Sequence, residues 1–248
     1  MKIIPLSEGS FTIDHTKTFI PIDTEKENIQ DRSKGSLLVE IQPFVIITER
    51  DIILIDTGLG YNLANGKSQI HHNLMQLGIN PSQITKVLLS HLHKDHAGGV
   101  TIKQADGQRF ISFPYATYYL QRREFEFAFD TKSKSYITED FQLLEEFSKV
   151  FWLNDDEGLI DGYIHYQLTQ AHSKYHQVFW IKEDNETAFF GGDDAPQLSQ
   201  MKSKFVAKYD YNGKKCMELR QQWWEQGTKE QWQFMFYHDI KTPVFTSL

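Results

Sequence analysis

Apolar and polar positions alternate along the first third of the chain, as they do in β-strands. The pattern over 37–48, followed by the short run 52–55, predicts a pair of strands that turn at Glu49-Arg50-Asp51. Apolar residues then recur at helical spacing, which predicts a helix over 68–77 with Gly78 as its stop. The chain therefore begins with sheet and continues into a helix.

The rest of the chain continues this alternation between strands and helices. A strand is predicted at 87–89, and an aromatic section from 101 to about 161 carries two predicted helices. The later predicted elements are helices over 122–129, 138–150 and 214–226, the last stopped by Gly227, and strands over 163–168, 177–182, 187–190 and 233–237. Because no repeat, low-complexity tract or linker separates these elements, residues 1–248 are expected to form one α/β (α+β) domain.

Four side chains that can bind a metal lie within six residues, directly after a predicted buried strand. They are His91, His93, Asp95 and His96, and the glycine pair 98–99 follows them. Residues two apart on extended backbone point the same way, so His91 and His93 can share one ion. Asp95 and His96 lie past the bend and face a second position. The segment indicates half of a two-metal site, and the glycines allow the backbone to turn closely around it.

Further residues able to bind a metal follow other predicted strands. They are Asp56, His172, Asp193 and His238. Strand ends from across a sheet can converge on one cleft, so these side chains are expected to face the first cluster. Each one alone is more often an ordinary polar residue, and Asp194 is a rival for Asp193. Their occurrence together with the first cluster favours one metal site.

Composition narrows the classes of function. A chain of 248 residues that is 40% hydrophobic can bury a sizeable core. A net charge of −7 gives no basic surface for nucleic acid, so a small-molecule substrate is expected. The single cysteine, Cys216, excludes an internal disulfide and a multi-thiolate metal centre. Residues 1–5 lack a signal-peptide pattern and no segment approaches a membrane span, so we expect a cytoplasmic protein without a membrane partner.

The order of these motifs resembles that of the metallo-β-lactamase superfamily of metal-dependent hydrolases over nearly the whole chain. The motifs are His91-x-His93-x-Asp95-His96, Asp56-Thr57-Gly58, the segment 171–176, Gly192-Asp193 and Tyr237-His238-Asp239. The resemblance implies a four-layer αβ/βα sandwich. In it, two mixed sheets lie face to face with helices outside, and the metals bind at one edge.

The resemblance also implies a role for each candidate residue. It assigns His91, His93 and His172 to the first metal, Asp95, His96 and His238 to the second, Asp193 to both as a bridge, and Asp56 as an acceptor that orients a ligand histidine. Imidazole and carboxylate ligands without thiolate suit two divalent ions. Zinc is preferred, and manganese, iron or cobalt are alternatives.

Two such ions, roughly 3.5 to 4 Å apart, can hold a hydroxide at neutral pH, because a metal-bound water has its pKa lowered to about 7. Asp95 is the candidate catalytic residue, since its carboxylate can steer the hydroxide and pass a proton to the leaving group. The expected reaction is hydrolysis of a small ester-like substrate, namely a lactone, ester, thioester or phosphotriester.

Within the superfamily, the chain most resembles the branch of N-acyl homoserine lactone lactonases and organophosphate hydrolases. The segments 113–116 and 121–124 and the pair His238-Asp239 carry this likeness. Lactonases of this branch place a catalytic tyrosine three residues after the bridging aspartate, where this chain has Pro196. The candidates to replace that tyrosine are Tyr115, Tyr118, Tyr175 and Tyr237.

Two other functions and one assembly stay open from the sequence. The first function is an iron-dependent oxidoreductase of the same fold that acts on a sulfur compound. The second is a catalytically silent binding or regulatory protein. A homodimer is compatible with the sequence.

Overall fold

The computed structural model describes residues 1–247, so Leu248, the last residue of the predicted domain, lies outside the described residues. The strands are β1 (Lys2–Pro5), β2 (Gly9–Ile13), β3 (Phe19–Pro21), β4 (Leu37–Ile41), β5 (Phe44–Ile47), β6 (Ile52–Ile55), β7 (Lys86–Leu88), β8 (Thr101–Lys103), β9 (Arg109–Ile111), β10 (Thr117–Gln121), β11 (Val150–Leu153), β12 (Glu157–Ile160), β13 (Ile164–Leu168), β14 (Gln177–Glu183), β15 (Glu186–Phe190), β16 (Gln233–Met235) and β17 (Val244–Thr246). The α-helices are α1 (Gln69–Gln76), α2 (Lys94–Ala97), α3 (Arg122–Asp130), α4 (Leu198–Met201) and α5 (Gly213–Lys229).

Two six-stranded mixed sheets form the centre of the molecule. The first has the order β1-β5-β6-β7-β10-β11, and the second has the order β12-β13-β14-β15-β16-β17. In the first sheet, the strands β6, β7, β10 and β11 run parallel to one another. Strand β5 is antiparallel to both of its neighbours, β1 and β6. In the second sheet only β15 and β16 are parallel. Smaller sheets, β3-β2-β4 and β8-β9, flank these two.

Successive side chains of each central strand point to opposite faces of the sheet and so enter two different hydrophobic cores. On β6, Ile53 and Ile55 enter the core between the sheets, whereas Leu54 faces the opposite side. On β14, Phe179 enters the same central core, and Val178 and Trp180 face outward. The sheets therefore pack face to face through their alternate residues.

Helices cover the outer face of each sheet. Ile70 and Leu74 of α1 and Phe125 of α3 pack on the outer side of the first sheet. Trp223 of α5 packs on the outer side of the second, against Phe189 at a ring distance of 5.0 Å. The four-layer αβ/βα sandwich expected from the sequence is therefore confirmed.

Parallel strands bring several chain segments to one edge of this sandwich. The carboxyl end of β6 leads into Asp56, and that of β7 leads into His91. In the second sheet, the parallel strands β15 and β16 end just before Asp193 and His238. The loop between β13 and β14 carries His172. The expected convergence of strand ends on one cleft follows from this topology.

The continuous strand predicted over 37–48 is wrong in one respect. The chain forms two strands there, β4 and β5, and they belong to different sheets. Pro43 lies between them and lacks the backbone N–H that a continuous ladder requires. The hairpin of β5 and β6 is confirmed, with Ile47 paired to Ile52.

The helix predicted over 138–150 is also wrong. Only two short 3₁₀ turns form, at Thr138–Asp140 and Gln142–Leu144. Phe141 and Leu144, three residues apart, are both buried, and this spacing suits a 3₁₀ turn as well as an α-helix. Val150 instead begins a strand beside β10.

Helix α5 continues two residues beyond the predicted stop at Gly227. This glycine lies inside the helix because Trp232 and Phe234 pack directly on it. A Cβ atom there would lie 2.3 Å from Cζ of Phe234. Gly227 therefore marks a close contact with two aromatic rings and not the predicted end of the helix. None of the helices within residues 1–247 is long and apolar enough to cross a membrane.

The loop after β6 packs closely against the backbone that follows α2. The backbone N–H of Thr57 donates to the carbonyl of His96 at 2.6 Å. Gly60, at φ +70°, lies so near that an added Cβ would be 2.1 Å from the carbonyl oxygen of Gly98. This contact fixes α2, which carries Asp95 and His96, against the first sheet.

The contact at Gly60 can be separated from backbone strain. Gly66 has a similar φ of +79° but has nothing within 4 Å of an added Cβ. We expect Gly66→Ala to lower the free energy of unfolding by about 1 kcal/mol through its left-handed backbone. Gly60→Ala should cost at least about 2 kcal/mol more, because the carbonyl of Gly98 must move. Denaturant unfolding of both variants measures the difference, and equal losses would contradict the close-approach explanation.

Candidate metal centre

The seven predicted metal ligands lie together at the edge of the sandwich where the strand ends converge. His91 and His96 are buried, and so are Asp95, His172 and His238. Their ligand atoms fall into three overlapping groups, each within 4.8 Å: His91, His93 and His172; His91, His96 and Asp193; Asp95, His96 and His238. The structure therefore brings all seven predicted residues to one place.

Three imidazoles form the first half of the centre. Nε2 of His91 lies 2.9 Å from Nδ1 of His93, and Nε2 of His172 lies 3.2 Å from the same atom. His91 and His93 come from the loop between β7 and α2, as the two-residue spacing predicted. His172 arrives from the second sheet, so this half joins the two sheets.

Asp95, His96 and His238 form the second half. Oδ2 of Asp95 lies 3.7 Å from Nε2 of His96 and 3.6 Å from Nε2 of His238. Asp95 and His96 belong to α2, whereas His238 follows β16. This half also takes ligand atoms from both sheets.

The carboxylate of Asp193 lies between the two halves. Its Oδ2 is 3.3 Å from Nε2 of His172. Its Oδ1 is 3.1 Å from Nε2 of His96 and 3.0 Å from Nε2 of His238. One oxygen therefore faces each half, which is the geometry that a bridging carboxylate requires.

Hydrogen bonds on the far side of the rings determine which nitrogen faces the centre. The hydroxyl of Ser90 donates to Oδ2 of Asp56 at 2.7 Å, so it can accept from Nδ1 of His91 at 3.0 Å. The backbone carbonyl of Glu40 can only accept, so Nδ1 of His238 donates to it at 2.7 Å. Each ring then presents an unprotonated Nε2 to the centre.

Two carboxylates accept hydrogen bonds from Nδ1 of His96 and of His172, so that Nε2 of each ring faces the centre. Oδ2 of Asp56 accepts from Nδ1 of His96 at 2.7 Å, and Oδ1 of Asp210 accepts from Nδ1 of His172 at 2.8 Å. Partners of this kind fix the tautomer and tilt of a metal-binding imidazole. Asp56 thus lies where the sequence placed it. Ser90 and Asp210 were missed, because neither belongs to a motif that points to metal binding.

The donor set fits divalent metal ions. Within residues 1–247, Nε2 of His96 and Oδ1 of Asp193 are buried and make no conventional hydrogen bond. Buried polar atoms without partners are costly, and a cation between them would satisfy both. Imidazole nitrogens and carboxylate oxygens are also the ligands that zinc and similar ions prefer.

The pKa values of the histidines in the centre are shifted in opposite directions. Burial, reinforced by neighbouring imidazoles, holds the pKa of His91 and of His93 well below the usual value. Burial alone would raise the pKa of Asp193, but His238, His96 and His172 outweigh it and hold the pKa well below the usual range. Burial alone would lower the pKa of His96, His172 and His238, but Asp193 and other carboxylates outweigh it and raise the pKa of all three imidazoles. Positive charge near the Asp193 carboxylate is therefore favoured, and a bound cation would supply it in place of these protons.

Asp194, the sequence rival of Asp193, supports the site from behind. It is fully buried, and its Oδ1 accepts from the backbone N–H of His172 at 2.6 Å. Its Oδ2 lies 3.0 Å from Nδ1 of His176, whose ring lies 4.9 Å from that of His91. Burial would raise the pKa of Asp194, but His176 outweighs it and lowers the pKa. Asp193, and not Asp194, faces both halves of the centre.

A cavity of about 720 Å³ opens over the centre. His93, Asp95, His172, Asp193 and His238 line its floor, and Pro196 lies in its wall. Its size suits a small organic substrate.

None of the four tyrosines proposed from the sequence lines this cavity in the described part of the chain. The hydroxyl of Tyr237 donates to the backbone carbonyl of Asp95 at 2.6 Å. The tyrosines that do line the cavity include Tyr136 and Tyr209. Tyr136 donates to Oε1 of the buried Glu124 at 3.0 Å. Sequence reasoning missed both, because the aromatic section and the 203–211 loop carry no motif.

Comparison with known proteins agrees with this fold. The family model described as the metallo-beta-lactamase superfamily matches residues 40–205. An N-acyl homoserine lactonase, AttM, of Azorhizobium caulinodans is 40% identical over 68 residues, which are 26% of this chain and 22% of that protein. The AttM lactonase of Agrobacterium fabrum is 32% identical over 117 residues, 44% of this chain and 40% of that protein. The matched stretches thus span less than half of either relative.

A solved structure extends the likeness of fold to almost the whole chain. A probable metal-dependent hydrolase from Staphylococcus aureus superposes with a TM-score of 0.80, covering 99% of this chain and 91% of that one, at 21% identity. The family match covers well over half of the 248 residues, including six of the seven residues of the centre. The chain belongs to the metallo-β-lactamase superfamily.

Proposed function

We propose that the protein is a metal-dependent hydrolase that cleaves a small ester-like substrate, preferably a lactone, with two divalent ions. The observation that carries the proposal is the carboxylate of Asp193, which presents one oxygen to each of two ligand groups beneath an open cavity. The two lactonases of similar sequence support the choice of a lactone. Pro196, in place of the expected tyrosine, argues that substrate binding differs from that of such enzymes.

The seven residues of the centre would hold the ions as the resemblance implies. His91, His93 and His172 would hold one ion, Asp95, His96 and His238 the other, and Asp193 both. Zinc is the preferred metal for this set of imidazoles and carboxylates. Bound ions supply a Lewis acid and lower the pKa of a coordinated water to about 7, so that a nucleophile is available at neutral pH.

Asp95 is the residue positioned to move a proton. Its carboxylate lines the cavity, and its backbone is held by the hydrogen bond from Tyr237. A carboxylate at this place can accept the proton of the attacking water and transfer it to the leaving oxygen. Since α2 is packed against the loop after β6, the backbone that carries this carboxylate is held in place.

Removing one ligand from the first half tests the metal assignment. We expect His93→Ala to lose most of the bound metal and at least about a hundredfold in kcat/KM, because one ligand to an ion is gone. The fold should persist, since His93 lies at the cavity and not in a hydrophobic core. Element analysis and circular dichroism measure the two effects.

The control for this variant is His15→Ala, whose side chain is 91% exposed and lies outside the centre. Its metal content and activity should equal those of the wild type. Full metal content in folded His93→Ala would refute the ligand assignment.

Hydrolysis itself is tested on protein loaded with zinc, with lactones, aryl esters, thioesters and phosphotriesters as substrates. We expect turnover of at least one lactone or carboxylic ester, abolished by chelator and restored by metal. Measurement of product and of metal content on the same sample checks the result. Failure of every class with two ions bound per chain would exclude the proposed reaction.

The proton role of Asp95 predicts a separation between metal binding and catalysis. Asp95→Asn keeps an oxygen near the second ion but loses basicity, so kcat should fall at least about a hundredfold. Metal content at the first position should stay near that of the wild type. The exposed Asp130→Asn at the end of α3 is the matched control. Parallel loss of turnover and of all metal would argue against the proton role.

A further inference from the structure

Four cationic side chains line the cavity above the centre: Lys17, Arg32, Lys94 and Lys174. Within residues 1–247, no carboxylate oxygen lies within 4.0 Å of the charged nitrogens of these four side chains. The whole chain carries a net charge of −7, so a cavity wall lined by four cations differs in sign from the charge of the molecule as a whole.

Within residues 1–247, the carboxylates in the same cavity form no ion pair with these cations. Asp193 faces His96, His172 and His238, and Asp210 binds His172. Asp95 lies nearest to His96 and His238. All three acidic side chains are directed at the metal centre. The cationic wall therefore keeps its charge available for something that enters the cavity.

Lys17 and Lys94 contact each other in this wall. The ammonium group of Lys94 donates a hydrogen bond to the backbone carbonyl of Lys17 and lies 5.6 Å from the ring centre of Phe19. An ammonium group has three N–H donors, so two remain for a ligand. Lys94 directly follows His93 in the chain and lines the same cavity, so Lys94 lies beside the metal centre.

The backbone of Lys17 is held by a turn between β2 and β3. Lys17 has φ 60°, a left-handed conformation that is uncommon for a residue with a side chain. A hydrogen bond from its N–H to the carbonyl of Asp14, at 3.1 Å, closes this turn between β2 and β3. This turn fixes the point at which the Lys17 side chain leaves the backbone.

Apolar side chains form another part of the cavity wall. Leu37, Phe205 and Tyr211 line the cavity and are 41%, 42% and 65% exposed. Exposed apolar groups beside a binding cleft are typical of sites that take an apolar part of a ligand. The cavity thus offers both a cationic and an apolar surface next to the metal centre.

We propose that the substrate of this hydrolase carries an anionic group, a carboxylate or a phosphate, beside an apolar chain, and that Lys17 and Lys94 bind the anion. The inference rests on the proposed hydrolase function and names its substrate class. A neutral substrate would leave both ammonium groups without an anionic partner in the cavity. An anionic group in the cavity would accept hydrogen bonds from ammonium groups and compensate their positive charge.

Two esters that differ only at their far end test the proposal. In 4-nitrophenyl pentanoate the acyl chain ends in a methyl group, and in mono-4-nitrophenyl glutarate it ends in a carboxylate. Zinc-loaded wild-type protein should hydrolyse the glutarate ester with a kcat/KM about tenfold higher, mainly through a lower KM. A third ester that ends in a phosphonate distinguishes carboxylate from phosphate recognition.

The lysines are tested one at a time. Lys94→Gln and Lys17→Gln should each bring the ratio between the anionic and the neutral ester close to one, and Lys94→Arg should keep the preference. Lys229→Gln, at the end of α5 and away from the cavity, is the matched control and should keep the ratio. Lys94 has ordinary helical backbone, so its variant gives a result even where Lys17→Gln fails to fold.

Binding without turnover provides a second readout. Calorimetry with glutaric acid monoanilide and with pentananilide compares the same two ends on unreactive amides. The anionic amide should bind about tenfold tighter, and 0.5 M salt or Lys94→Gln should remove most of this advantage. An advantage that survives both lysine substitutions would place the carboxylate on the metals and overturn the proposal.

The outcomes separate this proposal from the hydrolase function. Equal hydrolysis of both esters, or preference for the neutral one, overturns the anion site while the hydrolase function stands. If the zinc-loaded protein hydrolyses neither these esters nor any of the lactones, thioesters and phosphotriesters named above, the hydrolase function fails. Calorimetry then still decides whether Lys17 and Lys94 bind an anion.

Discussion

The placement of buried carboxylates among imidazoles is the constraint on which the site depends. Asp193 lies within 3.3 Å of three imidazole nitrogens, and Asp56 joins Ser90 to His96 behind the same rings. Charged groups are retained in a protein interior only where partners compensate their desolvation. The fold supplies those partners by directing strand ends from both sheets to one edge. Neither sheet alone contributes a complete set of ligands.

Much of the site could be predicted because its residues lie in short segments with their own geometry. His91 and His93 needed only the two-residue period of extended chain, and Asp56 needed only its place after a strand. Asp210, in contrast, contacts His172 from a loop 38 residues away, and no local pattern marks it. The tyrosines of the cavity likewise depend on how the aromatic section folds over the centre. Contacts of that kind come from tertiary packing, which one sequence does not specify locally.

The fold was predictable in its layers and less so in its details. Alternating apolar residues on β6 and β14 give both faces of each sheet, so the sandwich follows from the period of two. The segment 138–150 was misread because the buried pair Phe141 and Leu144 suits two kinds of helix. Gly227 was misread because a glycine that stops a helix and a glycine that admits an aromatic neighbour look the same in sequence.

The central claim, that seven side chains hold two ions, is tested most directly by anomalous diffraction from crystals of the zinc-loaded protein at the zinc absorption edge. Two peaks should appear, roughly 3.5 to 4 Å apart. One should lie among His91, His93 and His172, the other among Asp95, His96 and His238, with a carboxylate oxygen of Asp193 on each. A single peak, or two peaks without Asp193 between them, would contradict a centre of two ions bridged by this carboxylate.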